Sequence, residues 1–538
     1  MRHAAEHDAA GDRAPDAVGH AEGVLDGEVD QVVRGVGGHR TGVHPVDHAV
    51  VALDQHVGPL MVRQPVEGDS HRSTIHRGDR PLNRFHRYET RIQQHGAMVD
   101  ERAQLEVKTL GESRIDSPLA ALLRTGRTTQ HYVDESDRVL LDDTVALVAA
   151  RGVPVDELPG FEPGGPRRKI FFDPSKTRVG IVTCGGLCPG LNDVIRALVL
   201  ELTNHYGVRR IFGFRNGYQG MTARYGREVV DLDAEVVAGI NEYGGTILGT
   251  SRGNQDPNEI VDCLEQLSVN VLFVIGGDGS MRGALKIAEV VAERGRRIAV
   301  VGVPKTIDND IPYIERSFGF QTAFAKATEA IRAAHVEATA FPNGIGLVQL
   351  MGRHSGFIAC YAALANNDAD YVLIPEVPFS LDGPGGFLAH LRARVVERGH
   401  AMIVVAEGAG QEYLLDSATT LDASGNVRLQ DFGRYLRHRI ADDFAAAGVE
   451  ANLKYIDPSY TIRSVPANPY DSVYCIRLAH AAVHAAMAGR TEMVVGRWRG
   501  RFVHVPIALA ISSRNLVDPG GDLWMSVLEA TGQPPVFA

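Results

Sequence analysis

Six short runs stand out along the chain because almost every position in them is apolar: 178–183, 271–275, 298–303, 344–350, 370–374 and 401–406. Runs of this length, rich in aliphatic and β-branched residues, read as strands buried on both faces, the pattern of parallel sheets. Helix-like stretches lie between them, at 191–205, 282–294 and 322–338. Strands alternating with helices predict βαβ units and an α/β class of fold with largely parallel sheets. In such sheets ligands bind just beyond the carboxyl ends of the strands. Nearly every strand exit here carries a group suited to that role: Gly185-Gly186, Asp278, Asp308, Arg353, Glu376 and Glu407. The coincidence predicts one active site between two α/β lobes.

The flanks read differently. Residues 1–97 hold 11 of the 21 histidines and no lysine, and their apolar positions follow neither a helical nor a strand period. His-rich tracts can bind metal, but these histidines are dispersed without ligand spacing. Two readings fit: a disordered tail, or a native chain that starts at Met98 with a foreign stretch upstream. The second is preferred. Mass spectrometry of the native amino terminus decides, because an intact peptide from residues 1–90 rules it out. Residues 98–177 read as an amino-terminal arm ending in Leu158-Pro-Gly-Phe-Glu-Pro-Gly-Gly-Pro166. Pro and Gly at that density predict a loop rather than any element.

Composition narrows the function classes. At 538 residues with 44% hydrophobic positions, the chain can build two or three cored domains. It shows neither a long uncharged apolar run nor a signal-like h-region, so no membrane partner is expected. A formal net charge of −11 argues against nucleic-acid binding, which needs a basic footprint. Five scattered cysteines, Cys184, Cys188, Cys263, Cys360 and Cys475, suit a reducing cytoplasm better than a disulfide framework. Cys184 and Cys188 lack zinc-site spacing and read as small buried residues.

Three loops carry the chemistry. Thr183-Cys-Gly-Gly-Leu-Cys-Pro-Gly-Leu-Asn192 joins a strand to a helix. Its bare glycines let phosphates approach the backbone at a helix amino terminus, although an ordinary tight turn would look similar. Gly276-Gly-Asp-Gly-Ser280 offers unobstructed N–H groups and one carboxylate, Asp278. That carboxylate suits Mg2+, which prefers carboxylate and phosphate oxygens; the plainer reading is an Asp capping a helix that starts near Met281. Pro304-Lys-Thr-Ile-Asp-Asn-Asp310 adds a hydroxyl, an ammonium and two carboxylates. If this loop is extended, Asp308 and Asp310 point the same way. One can then accept a hydroxyl proton while the other holds metal or tunes its partner, with Lys305 and Arg252 neutralising charge. A solvated acidic turn would not explain the Pro, Lys and Thr ahead of the acids. Together these loops suggest a kinase acting on a sugar alcohol, with Asp278, Asp308 and Asp310 gathered around the migrating phosphorus.

On these motifs the chain resembles the ATP-dependent 6-phosphofructokinases. The segments that carry the resemblance are 185–192, 276–280, 304–310, Met351-Gly-Arg-His-Ser-Gly356, Pro375-Glu-Val-Pro-Phe379 and Lys454-Tyr-Ile-Asp-Pro-Ser-Tyr-Thr-Ile-Arg463. The likeness spans roughly residues 175–510 and part of the arm, and it implies two Rossmann-like lobes. An ATP lobe of 178–320 would be completed by about 463–515, and a fructose 6-phosphate lobe of 321–462 by about 516–538. It implies further that Asp308 is the base for the sugar 1-hydroxyl, helped by Thr306 and Asp310. Thr306, Ile307, Met351, Gly352, Arg353, Glu407, Tyr460, Thr461, Ile462 and Arg463 would contact the sugar phosphate. Gly186, Tyr218, Arg252, Gly253, Gly277, Asp278, Gly279 and Ser280 would hold ATP, with Asp278 on magnesium. For Arg353 and Arg463 a structural salt bridge is the alternative. A cytoplasmic homotetramer or homodimer at the committed step of glycolysis is also implied.

The donor turns on two positions. Pyrophosphate-dependent relatives carry Asp where Gly279 stands, so Gly279 favours ATP; Lys305 pulls the other way, because pyrophosphate users carry Lys there. A long-chain ATP-dependent branch combines both features and is the most similar. Gly344 and Lys454 stand where short bacterial enzymes place arginines reaching across a subunit boundary, so a cross-subunit site copied from those enzymes is in doubt. Lysine still binds phosphate but without bidentate geometry. An NAD-kinase-like enzyme would share only the Gly-Gly-Asp-Gly loop, and a silent regulatory subunit would be expected to lack Asp278 or Asp308.

Overall fold

The computed structural model describes residues 101–124, 132–414 and 427–538, all within one unit, Phe85–Ala538. The expectation for residues 1–97 lies outside the described residues. Numbering the strands of the two main sheets along the chain, β1 (Val139–Leu140) and β2 (Gly160–Pro163) come from the arm. Then follow β3 (Arg178–Thr183), β4 (Arg210–Phe214), β5 (Val229–Asp231), β6 (Val271–Gly276) and β7 (Ala299–Pro304). The second sheet takes β8 (Gly344–Leu350), β9 (Tyr371–Leu373), β10 (His400–Ala406) and β11 (Asn452–Ile456). The chain then returns to the first sheet with β12 (Met493–Trp498) and β13 (Arg501–Pro506).

The nine-stranded sheet has the order β1-β2-β13-β12-β7-β6-β3-β4-β5. Its centre from β12 to β4 is parallel and its margins are antiparallel. The four-stranded sheet, β9-β10-β8-β11, is parallel throughout. Strands β6, β7 and β8 are buried at every position, as apolar runs covered on both faces should be. The predicted α/β fold of two parallel-centred sheets is what forms.

Three predicted helices appear with shifted ends. The first is α1 (Leu191–Leu200), continued by a wider π-helical turn, Glu201–Tyr206. The second, α2 (Asp278–Glu293), begins three residues earlier than the capping alternative required, with Gly277 as its cap. The third, α3 (Phe320–Thr339), packs against α4 (Phe357–Asn366) and the second sheet. Further along, α5 (Ser459–Arg463) is a short turn and α6 (Pro469–Met487) packs across α1, α3 and β7. The fully buried Asp471 of α6 accepts from the backbone N (2.7 Å) and hydroxyl (2.6 Å) of Thr322, tying the start of α3 to α6. Gly302 on β7 lets α2 come close, because a Cβ there would lie 2.6 Å from Met281 Sδ.

The arm overturns one expectation. The Pro/Gly-rich stretch 158–166 is not simply a loop: Gly160–Pro163 forms β2, paired with β13 through His504↔Glu162 and Val503↔Pro163. Phe161 explains it, since its fully buried ring packs edge-on against Trp498 at 5.9 Å. Pro163 ends the strand, where the missing N–H costs least, and Gly164 N continues the contact to Phe502 O at 2.7 Å.

Where the π-helical turn meets α6, histidines surround one buried acid. Glu201 Oε2 faces His205 and lies 3.6 Å from His480 Nε2, while Oε1 is 3.8 Å from His484 Nε2. His484 Nδ1 bonds the Tyr206 hydroxyl at 2.8 Å, and burial pushes its pKa down to about 3. The unfolded chain protonates His484 near pH 6.5, so this residue's contribution is present above that value and is lost as pH falls toward 3. The buried carboxyls of Asp308, Glu376 and Asp471 are pushed up and act with the opposite sign, so the test must be a difference. His484→Asn is expected to be less stable than wild type at pH 7.5 in urea unfolding, with the gap narrowing by pH 5. A gap independent of pH overturns it.

Candidate active site

The loops leaving β3, β6, β7 and β8 converge on a cavity of about 470 Å³. After β3, Gly185 takes φ +86, a conformation open to glycine at little cost. Its N–H bonds Ser251 O at 3.1 Å and its carbonyl accepts from Thr250 Oγ1 at 2.7 Å. The adjoining Gly186 carbonyl accepts from Lys305 Nζ at 2.6 Å. A Cβ on Gly186 would stand 3.6 Å from Arg252 Nη2 and 3.9 Å from Arg463 Nη1, so two guanidinium groups meet over a bare backbone. Lys305 is buried, and that burial lowers its pKa.

After β6, α2 directs its amino terminus and its partial positive charge at the cavity. Gly276 permits the turn, because a Cβ there would collide with Ser280 Cβ at 2.3 Å. Tyr218 anchors the first turn of α2 by donating to Ser280 O at 2.8 Å. Its ring fills the space beside Gly283, where a Cβ would approach within 2.7 Å.

After β7 the chain is not extended. Asn309 adopts φ +55, so strand-like alternation does not govern Asp308 and Asp310; this corrects the simple period-two expectation. The two acids still end up neighbours with different surroundings. Asp310 Oδ1 accepts from Thr306 Oγ1 at 2.9 Å and its Oδ2 from Arg514 Nη1 at 2.7 Å. Asp308 Oδ1 is shielded from solvent and has no hydrogen-bond partner among the described residues. Burial first, then the negative charges of Asp310 and Glu407, push the Asp308 carboxyl up to about 8, with Arg353 opposing. Asp278 meets Arg282 at 2.9 Å and Arg514 at 3.6 Å. All three acids line the one cavity, and Arg514 bridges two of them, Asp278 and Asp310.

Of the residues named from sequence, Gly186, Tyr218, Arg252, Gly253, Gly277, Asp278, Gly279, Ser280, Lys305, Thr306, Ile307, Asp308, Asp310, Met351, Arg353 and Arg463 all line this cavity. Others sit behind or beside it. Gly352 takes φ +134 and its carbonyl accepts from Gly408 N at 3.1 Å. Glu407 acts on Asp308 through its charge, and its own carboxyl is raised by burial. On α5, Tyr460 is 72% exposed while the Arg463 guanidinium lies 5.0 Å from its ring centre. Thr461 Oγ1 turns back to Pro458 O at 2.7 Å. Ile462 is wholly buried in the core, so its side chain is unavailable to a ligand and only its backbone could contribute.

Sequence reasoning missed Arg514, His354 and the clamp made by Glu376. Glu376 Oε1 accepts from Gly356 N and Val517 N, both at 2.9 Å, joining the β8 loop to the carboxy-terminal segment. Nothing in sequence pairs Arg514 with an acid 204 residues away. His354 does lie inside the Met351–Gly356 motif and could have been found there. The five cysteines are buried and free, and burial lifts the Cys184 thiol to about 12, so it has no thiolate character at neutral pH. Among the described residues no three His, Cys, Asp or Glu side chains form a ready metal cage. A lone carboxylate beside the bare glycines of the 276–280 turn, as Asp278 is, suits Mg2+, which one or two carboxylates and the substrate's phosphates commonly hold. No described helix is long and apolar enough to cross a membrane.

The fold and its glycine-lined, acid-bearing cavity are of the phosphotransferase kind; the Phosphofructokinase family model matches residues 178–486, and the chain belongs to that family. It is similar to the ATP-dependent 6-phosphofructokinase of Amycolatopsis methanolica, 60% identical over 440 residues covering 80% of this chain and 95% of that one. A protein of the same name from Borreliella burgdorferi is 46% identical over 441 residues, 81% of this chain and 98% of that one. Among solved structures, the pyrophosphate-dependent phosphofructokinase of Marinobacter aquaeolei matches with TM-score 0.55 at 20% identity, covering 66% of this chain and 91% of that one. Pichia pastoris phosphofructokinase in the T-state matches with TM-score 0.52 at 22% identity over 66% of this chain, which spans only 37% of the yeast chain. At these identities the two structures speak for the fold alone.

Proposed function

We propose that this chain is an ATP-dependent 6-phosphofructokinase. It transfers the γ-phosphoryl group of ATP to the 1-hydroxyl of D-fructose 6-phosphate, giving fructose 1,6-bisphosphate and ADP at the committed step of glycolysis. The observation that carries this reading is the shielded Asp308 carboxyl, raised by burial, in the same cavity as a glycine-capped helix amino terminus. A raised carboxyl is a stronger base once ionised, and the helix end favours phosphate.

In the reaction Asp308 takes the proton of the sugar 1-hydroxyl. The O1–P bond forms as the bond from phosphorus to the bridging β-oxygen breaks, and ADP leaves. Thr306 holds Asp310 in place, and Asp310 keeps negative charge beside the base. Gly186, Gly253 and the 277–280 turn cradle the nucleotide's phosphates, with Arg252 and Lys305 supplying positive charge and Tyr218 bracing the turn. Met351, Gly352, Arg353 and Glu407 position the sugar, and the turn 460–463 closes on its phosphate. Asp278 would hold Mg2+, which when bound neutralises charge on the donor phosphates. The nucleotide lobe is assigned to 178–320 with about 463–515, and the sugar lobe to 321–462 with about 516–538. A cytoplasmic homo-oligomer completes the reading.

Pyrophosphate is the second donor to weigh, because Lys305 lies in the cavity. Steady-state assays of purified protein with fructose 6-phosphate, magnesium and either donor test the assignment. ADP release coupled to bisphosphate formation is expected; a preference for pyrophosphate overturns the donor, and no turnover with either overturns the function.

A further inference from the structure

Arg514 lies outside the residues matched by the family model, yet it reaches two carboxylates of the cavity at once. Its Nη1 is 2.7 Å from Asp310 Oδ2, beside the base. Its Nη2 is 3.6 Å from Asp278 Oδ2, on the side where the donor phosphates would lie. The second distance is an ion-pair contact too long for a hydrogen bond, so the Nη2 hydrogens remain for another acceptor. The backbone around it is tied to the base loop: Asn515 N donates to Asp310 O at 2.8 Å, and Asn515 Nδ2 to Asn309 O at 3.2 Å. Val517 N is held by the Glu376 clamp at 2.9 Å. The guanidinium therefore sits at a fixed place between a donor-side and an acceptor-side carboxylate, facing the same cavity as both.

A phosphoryl group in transit spreads its charge over three equatorial oxygens and needs cations already in place around it. A planar, permanently charged fork meets that need while one of its arms stays on Asp310. Resting on the function proposed above, we propose that Arg514 is a catalytic arginine that contacts the migrating γ-phosphoryl group, using Asp310 as its fixed support. The γ-phosphate of bound ATP attracts the Nη2 arm that otherwise faces Asp278; ADP, which lacks that group, does not.

The test compares wild type with Arg514→Met and Arg514→Lys, measuring turnover and calorimetric binding of ADP and of β,γ-imido-ATP in the presence of magnesium. Arg514→Met is expected to lower kcat by about 10²–10³-fold, the range for removing one transition-state donor. KM for fructose 6-phosphate should stay within about twofold, ADP affinity should be unchanged, and the imido analogue should bind at least about fivefold more weakly. Arg514→Lys should recover part of both losses, because it keeps the charge without the fork. Equal weakening of ADP and the analogue, which a merely structural role would produce, overturns the proposal. So does unchanged turnover in both variants. Wild-type protein that binds neither nucleotide would instead overturn the proposed function.

Discussion

Asp308→Asn is expected to lower kcat by roughly 10²–10⁴-fold, the usual contribution of a positioned general base, while KM for fructose 6-phosphate changes little. Asparagine keeps the shape and the hydrogen-bonding edge but has no electron pair basic enough to take the proton. Near-normal turnover in this variant would remove Asp308 from its assigned role. The pH profile gives an independent reading. Asp308 is pushed up to about 8 by burial and by the charges of Asp310 and Glu407. A raised carboxyl is protonated below its pKa, so kcat/KM, which reports the free enzyme, should fall about tenfold per unit below pH 8. Glu407→Gln removes one of the charges that raise Asp308, so its kcat/KM limb should move to lower pH. A kcat/KM flat between pH 6 and 9 would contradict the buried-base reading.

How much of this was legible depended on whether a feature was local. Strand β8 was bounded correctly from sequence because all seven of its positions are buried, leaving one uninterrupted apolar run. Strand β11 went unread because every residue in it is only half-buried, so Asn, Lys and Tyr interrupt the pattern. The Pro and Gly of strand β2 predict a loop, while the pairing that makes it a strand lies in β13, over 300 residues away. The three loops that line the cavity were readable because each follows its strand directly, and parallel topology then brings their tips together. Arg514 and the Glu376 clamp were not readable, since their partners come from loops far apart in sequence. The left-handed turn at Asn309 also escaped notice; it, rather than strand alternation, gives Asp308 a shielded environment and leaves Asp310 to Arg514 and Thr306.

Gly279→Asp is expected to cripple ATP use without unfolding the protein. Position 279 lies in the first turn of α2, and a Cβ placed there meets nothing within 4 Å. The backbone φ is negative at this helical position, so neither crowding nor strain opposes the new side chain; what changes is charge. A carboxylate in that space faces the donor phosphates beside Asp278 and opposes the helix-end field that attracts them. Two like charges about 4 Å apart at an effective dielectric near 20 repel by roughly 4 kcal/mol, which corresponds to a loss on the order of 10²–10³-fold in kcat/KM for ATP. Pyrophosphate is short enough to avoid that space, so the variant's use of it should be unchanged or improved relative to ATP, helped by the Lys305 ammonium at the Gly186 carbonyl. Thermal unfolding of the variant should match wild type within a few degrees. Wild-type kcat/KM for ATP in Gly279→Asp would show that the nucleotide does not pass this turn, and would move the donor site elsewhere in the cleft.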